Sequence, residues 1–189
     1  MTTDTSLQAI FEGWDGHQAA LVTTVQALNP AQLAWRPAPN QRSAGEITRH
    51  IAFGRLTWFF RMQPPGGAEL ASQITTWHTD RDGGKHVVED AYAITEQPTE
   101  LVRWLEAGWA MISRTLNEWT VADLARTYRH TYQGVAYAVS RQWTIYRILA
   151  HDLHHGGQLA TTLGLQGIDL PDLGDMGGHL TFPPLADEA

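Results

Sequence analysis

Three of the nine histidines of this chain, His151, His154 and His155, fall within five consecutive positions. The segment around them otherwise reads as a buried helix, and neutral imidazole is the commonest protein ligand for zinc, nickel and related ions. Residues four apart on a helix differ by roughly 40° in direction and about 6 Å in rise, so His151 and His155 can reach one ion from one face. They share a mostly apolar stripe with Ile148, Leu159 and Thr162, whereas His154 falls with Arg147, Ala150, Gln158 and Thr161 on a more polar one. His151 and His155 are therefore the expected ligands, with His154 beside the site or on the surface. Two imidazoles alone bind an ion weakly. The best third ligand is His50, which lies mid-helix beside Ile47 and Ile51. A buried imidazole needs partners for both ring nitrogens, one met by the ion and the other by an acceptor. Glu46, one turn earlier, is a candidate acceptor in competition with a capping role.

Three histidines leave one or more coordination positions open, the arrangement of a catalytic rather than a structural site. A divalent ion there lowers the pKa of a thiol or water and holds it as a nucleophile. The chain has no cysteine, so any thiol in the chemistry comes from a small molecule. The spacing is not that of the zinc-protease helix, because Asp152 stands where that motif has Glu. Glu46, Asp152, His154 and Gln158 are the polar candidates around the centre, and Glu46 or Asp152 would be the base if the reaction were hydrolytic. His17, His78, His86, His130 and His179 lack comparable spacing and read as ordinary core or surface histidines.

The elements that must position these residues follow from apolar spacing and punctuation. Leu7, Ile10, Phe11, Trp14, Leu21, Val25 and Leu28 predict a first helix from Ser6 to Leu28, ended by Asn29-Pro30. Two prolines exclude a helix in Ala34–Asn40. Ser43-Ala44-Gly45-Glu46 fits a capping box that opens a second helix over about 44–62, stopped by Pro64-Pro65-Gly66-Gly67. Residues 64–96 show no sustained period and read as a long loop with one short helix; such a loop often borders a site. A third helix covers about 98–119. Tyr128 to Val139, with Gln133-Gly134 as the turn, predicts a short hairpin. Ser140 then caps a fourth helix through about Leu163, and the Gly- and Pro-rich tail is expected to wrap over the helices.

This pattern predicts an all-α fold, four amphipathic helices with long crossover loops, in one domain spanning 1–189. A net charge of −7 without any basic block argues against nucleic acid as a partner. No apolar run approaches a membrane span, and the N-terminus lacks the features of a signal peptide, which gives a cytoplasmic expectation.

Two blocks carry a resemblance to a known family. Ser43-Ala44-Gly45-Glu46-Ile47-Thr48-Arg49-His50-Ile51 and His151-Asp152-Leu153-His154-His155-Gly156-Gly157-Gln158 resemble the two histidine blocks of the DinB-like superfamily, which includes YfiT-type proteins and thiol-dependent S-transferases. Gly156 replaces the family's usual Arg. Leu33-Ala34-Trp35-Arg36-Pro37 and Leu163-Gly164-Leu165-Gln166-Gly167-Ile168 are also similar; residues 64–96 have no match. The resemblance implies an up-down-down-up four-helix bundle, a divalent ion, zinc or nickel, on His50, His151 and His155, and frequent homodimers. It also implies activation of a low-molecular-weight thiol toward an electrophilic substrate, in transfer or isomerisation. The alternatives are a metal-dependent hydrolase and a stress-linked protein that binds metal without catalysis.

Overall fold

A computed structural model describes residues 6–169 and Leu173. The fold is mostly helical with two small antiparallel hairpins: α1 (Trp14–Gln26), α2 (Pro30–Ala34), α3 (Ala44–Arg61), α4 (Gly67–Ala71), β1 (Trp77–Thr79), β2 (Lys85–Val87), a 3₁₀ turn (Glu89–Ala91), α5 (Pro98–Glu118), α6 (Val121–Leu124), β3 (Thr127–Tyr132), β4 (Val135–Ser140) and α7 (Arg141–Gly164). None of the described helices is long and apolar enough to cross a membrane.

Helix α3 is central. It packs on α5 and α7, and α1 closes against the same two helices. Its start is fixed as the sequence requires: Ser43 Oγ accepts from the Glu46 amide, and the Glu46 carboxylate accepts from the Ser43 amide. From there Ile47, Ile51, Phe53, Leu56 and Phe59 are buried against Leu101, Leu105, Ile112, Ile145, Ile148 and Leu159, each such side chain stabilising by about 1.5–3 kcal/mol. Helix α7 opens on Ser140, whose Oγ accepts from the Trp143 amide at 3.1 Å.

Helix α1 begins later than the periodicity predicts. The Leu7 amide donates to the carbonyls of Leu116 and Trp119 at the end of α5, and Gly13 takes φ +94, so a right-handed helix cannot run through it. Leu7 is still fully buried, but from a turn. Short α2 follows from signals that lay in plain view: Asn29 and Gln32 form a capping box and Pro30 occupies the first turn.

The stretch 64–96 is more ordered than a long loop. After α4 it forms the β1–β2 hairpin, closed by Asp80, whose Oδ1 accepts from the amides of Asp82 and Gly84 at 2.9 and 2.8 Å. Strands of three residues are too short to show a period. The Val87 amide donates to Thr57 Oγ1 of α3, Arg49 donates to the Tyr92 carbonyl, and a Cβ on Gly45 would lie 1.7 Å from the Thr95 oxygen. Glycine is required there for the segment to lie on α3. The expected second hairpin is present with Gln133 and Gly134 both at positive φ in its turn. The tail expected to wrap over the helices lies mostly outside the described residues.

Candidate metal centre

His50 sits in the middle of α3, and His151 and His155 sit one turn apart on the facing side of α7. One ring nitrogen from each lies within 4.8 Å of the other two. Ring centroids are 4.9 Å apart for His50 and His151, 4.6 Å for His50 and His155, and 4.4 Å for His151 and His155. Space for this convergence comes from Gly54, one turn beyond His50, where a Cβ would lie 2.7 Å from His151 Cε1.

Two of the three outer nitrogens are oriented by acceptors. His50 Nδ1 lies 2.8 and 3.0 Å from the two oxygens of Glu89. His155 Nδ1 lies 2.7 Å from Gln158 Oε1. His151 Nδ1 faces Asp152 Oδ1 at 3.8 Å, too long for a hydrogen bond, and both atoms are buried without another partner among the described residues. With Nδ1–H of His50 and His155 directed at carboxylate and amide oxygen, their Nε2 atoms present lone pairs inward. His50 Nε2 and His151 Nε2 are only 3.2 Å apart, a distance that a shared proton or a metal ion bound by both nitrogens accounts for. Burial, the largest effect, with the neighbouring imidazoles, lowers the pKa of His155 to about 4; the ring is neutral and free to coordinate near pH 7.

The polar residues expected around the centre divide. Glu46 is not the acceptor on His50: its carboxylate is committed to the Ser43 amide and to Arg36. Burial raises its pKa, but the Ser43 amide and Arg36 outweigh this and hold it below the ordinary value. The acceptor is Glu89, from the stretch that gave no period; a carboxylate in an unpatterned loop carries no local signal of where it folds back. Asp152 adjoins His151 but is fully buried, and its Oδ2 accepts from Arg55 Nε at 2.8 Å and Trp14 Nε1 at 2.9 Å. Burial would raise its pKa, yet Arg55, His151, Trp14 and His17 together hold it below the usual value. An anion so enclosed has no path to a substrate proton, so Asp152 is not a general base. His154 is exposed and meets Gln158 Nε2 at 3.2 Å, and Gln158 in turn holds His155. Gly156 gives room to His17, whose Cε1 would lie 2.5 Å from an added Cβ.

Two clefts open on the centre, divided by the loop after α2. One, of about 700 Å³, is lined by His50, Glu89, Arg42, Arg49, His78 and His86 among others. The other, of about 600 Å³, includes His155, Gln158, Arg42 and Thr162. His78 and His86 are directly paired across β1 and β2, so the loop histidines do border the site.

A family model described as the DinB superfamily matches residues 14–159. Among solved structures, a DinB-like protein from Bacillus cereus ATCC 10987 superposes with a TM-score of 0.61 at 14% identity, covering 89% of this chain and 98% of that one. No curated protein matches.

Proposed function

From a chain that belongs to the DinB superfamily, we propose a divalent-metal protein whose ion is held by His50, His151 and His155. We propose further that it activates a low-molecular-weight thiol for transfer to, or isomerisation of, an electrophilic substrate. The observation that carries the metal reading is the inward convergence of three imidazoles whose outer nitrogens face Glu89, Asp152 and Gln158. The 3.2 Å between two Nε2 atoms fits two ligands on one ion, since Zn–N bonds of about 2.0–2.1 Å at a tetrahedral angle separate nitrogens by about 3.3 Å. An all-imidazole set suits zinc or nickel.

When bound, the ion supplies Lewis acidity that lowers the pKa of a thiol placed on it. The chain's own residues do the rest. Glu89 fixes the tautomer of His50 and Gln158 that of His155, the Asp152 carboxylate lies beside His151, and the two clefts admit ligands from either side of the loop after α2. The absence of cysteine means that no protein thiol competes for the open position. A hydrolytic reading loses both of its candidate bases, because Glu46 is tied to Arg36 and Asp152 to Arg55. Within this proposal the four long helices α1, α3, α5 and α7 form the up-down-down-up bundle, and two chains pair as a homodimer, which sedimentation velocity checks.

Elemental analysis of protein purified without an affinity tag, beside the three His→Ala variants, tests the centre: one equivalent of zinc or nickel that is lost in each variant is expected, and its retention in His50→Ala or His155→Ala overturns the ligand set. The reaction is tested by assaying loaded protein with bacillithiol, mycothiol and glutathione against electrophiles. Turnover above the His155→Ala background is expected; none in any pairing overturns the thiol reading and leaves a metal-binding protein.

A further inference from the structure

Away from the histidines, the cleft between the two hairpins differs in charge from the rest of the molecule. It encloses about 590 Å³, and its charged lining is Arg61, Lys85 and Arg129 against Asp82 alone, with His130 beside them. The chain as a whole carries −7. The cleft over His50, by contrast, balances Arg36, Arg42 and Arg49 with Glu46, Glu89 and Asp90.

Arg61 is the inner cation of this cleft, and its donors are poorly met. Nη2 is 3.3 Å from the Lys85 carbonyl and Nη1 is 3.5 Å from His130 Nε2, both near the limit of hydrogen bonding. Its Nε is buried with no partner among the described residues. Asp80, an acid whose field reaches it, is committed through Oδ1 to the amides of Asp82 and Gly84. Instead of a carboxylate, Arg61 has an indole: its guanidinium lies 4.2 Å from the Trp58 ring, and that of Arg147 lies 4.3 Å from the same ring. An aromatic face attracts a cation but accepts no charged hydrogen bond in its place. Burial, reinforced by Arg147, lowers the pKa of Arg61 even though Tyr128 and Asp80 act the other way. Phe60, Pro64 and Tyr128 supply apolar wall.

We propose that this cleft binds a small organic anion, its carboxylate or phosphate received by Arg61 with Lys85 and Arg129 at the rim, and its apolar body against Phe60 and Tyr128. The volume suits such a ligand, small-molecule sites spanning about 300–1,000 Å³. A guanidinium fork with unfilled donors is the side chain best matched to a planar or tetrahedral oxyanion. The site requires no metal and stands independently of the histidine centre.

Calorimetric titration of the full chain with phenyl phosphate, benzoate and uncharged benzyl alcohol tests it, the first two separating phosphate from carboxylate. At least one anion should bind about tenfold or more tighter than the alcohol, with affinity falling as salt rises. Arg61→Gln should weaken that binding about tenfold or more, while Arg103→Gln, a surface cation paired with Glu100, should leave it unchanged. Lys85 and Arg129 are exposed, so the double variant Lys85→Gln/Arg129→Gln should fold normally and weaken binding even if Arg61→Gln does not fold. Equal affinity for the alcohol, no saturation by either anion below about 10 mM, or unchanged binding in the double variant would overturn the proposal.

Discussion

Neighbouring residues of α7 belong to opposite environments. His151 and His155 turn toward the seam with α3 and the clefts, partly exposed; Asp152 and Gly156, each one position later, are sealed in the core against Arg55, Trp14 and His17. The helical step of roughly 100° puts them on different faces, so a metal-facing surface and a buried ion pair share one turn of backbone. The difference is one of access. Two donors, Arg55 Nε and Trp14 Nε1, hold Asp152 Oδ2, the His151 ring stays 3.8 Å from Oδ1, and Arg55 also donates to Gln18 and the Leu105 carbonyl. The histidine side instead turns ring nitrogens toward one another beside the clefts. One face is closed on buried partners, with Asp152 Oδ1 and Arg55 Nη2 the polar atoms it leaves unmet; the other is open to a ligand.

The largest effect should come from breaking the closed side. Asp152→Ala leaves Arg55, which is 0% exposed, as a buried charge without its partner and should cost about 3–5 kcal/mol. Urea unfolding of metal-free protein measures this, and a loss under about 1 kcal/mol would mean that water reaches the pair. Next in size is the ligand side. The His→Ala variants should change the stability of metal-free protein little, but remove the gain that wild type shows on adding zinc or nickel, about 2.7 kcal/mol at a hundred times Kd. A thermal-shift titration separates the two faces directly: Asp152→Ala lowers the baseline, His155→Ala abolishes the response.

A third experiment asks how far the open side extends. Glu89 orients His50 from a 3₁₀ turn that belongs to neither helix, and Glu89→Gln should weaken metal binding about 10–100-fold with little change in unfolding. An unchanged affinity would place the centre wholly on α3 and α7.

The same contrast explains what could be read from sequence. His50, His151 and His155 were legible because helical spacing converts position into direction, α3 and α7 because Ser43 and Ser140 cap the starts of their apolar periods, and α5 because Pro98 opens its own. The β3–β4 hairpin announced itself through six-residue strands and a Gln-Gly turn. The β1–β2 hairpin did not, since three residues per strand cannot display alternation. Glu89 was hidden for the same reason, its partner being chosen by tertiary packing such as the Gly45–Thr95 approach. Asp152 misled because adjacency in sequence to His151 suggested a shared site, whereas adjacency on a helix turns the next side chain by roughly 100° onto another face. The tethering of Leu7 to the end of α5, which delays α1, is likewise a long-range pairing with no local mark.

The smallest expected effect distinguishes the two faces by pH. In metal-free protein His155 has its pKa lowered from 6.5 to about 4, so the unfolded chain binds a proton that the folded chain refuses. Stability should therefore fall as pH drops from about 6.5 toward 4, by roughly 1 kcal/mol once screening at a half-buried ring is discounted. Asp152, lowered from 3.8, works in a separate window: its contribution is fully present above the unfolded value and is lost only as pH falls below it. Urea titrations at stepped pH should thus give a gentle decline between 6.5 and 4 that His155→Gln flattens, then a steeper loss below 3.8 that His155→Gln leaves in place. A single merged transition unaffected by His155→Gln would mean that the two sides of α7 titrate as one network, and the division between a closed core pair and an open histidine face would have to be given up.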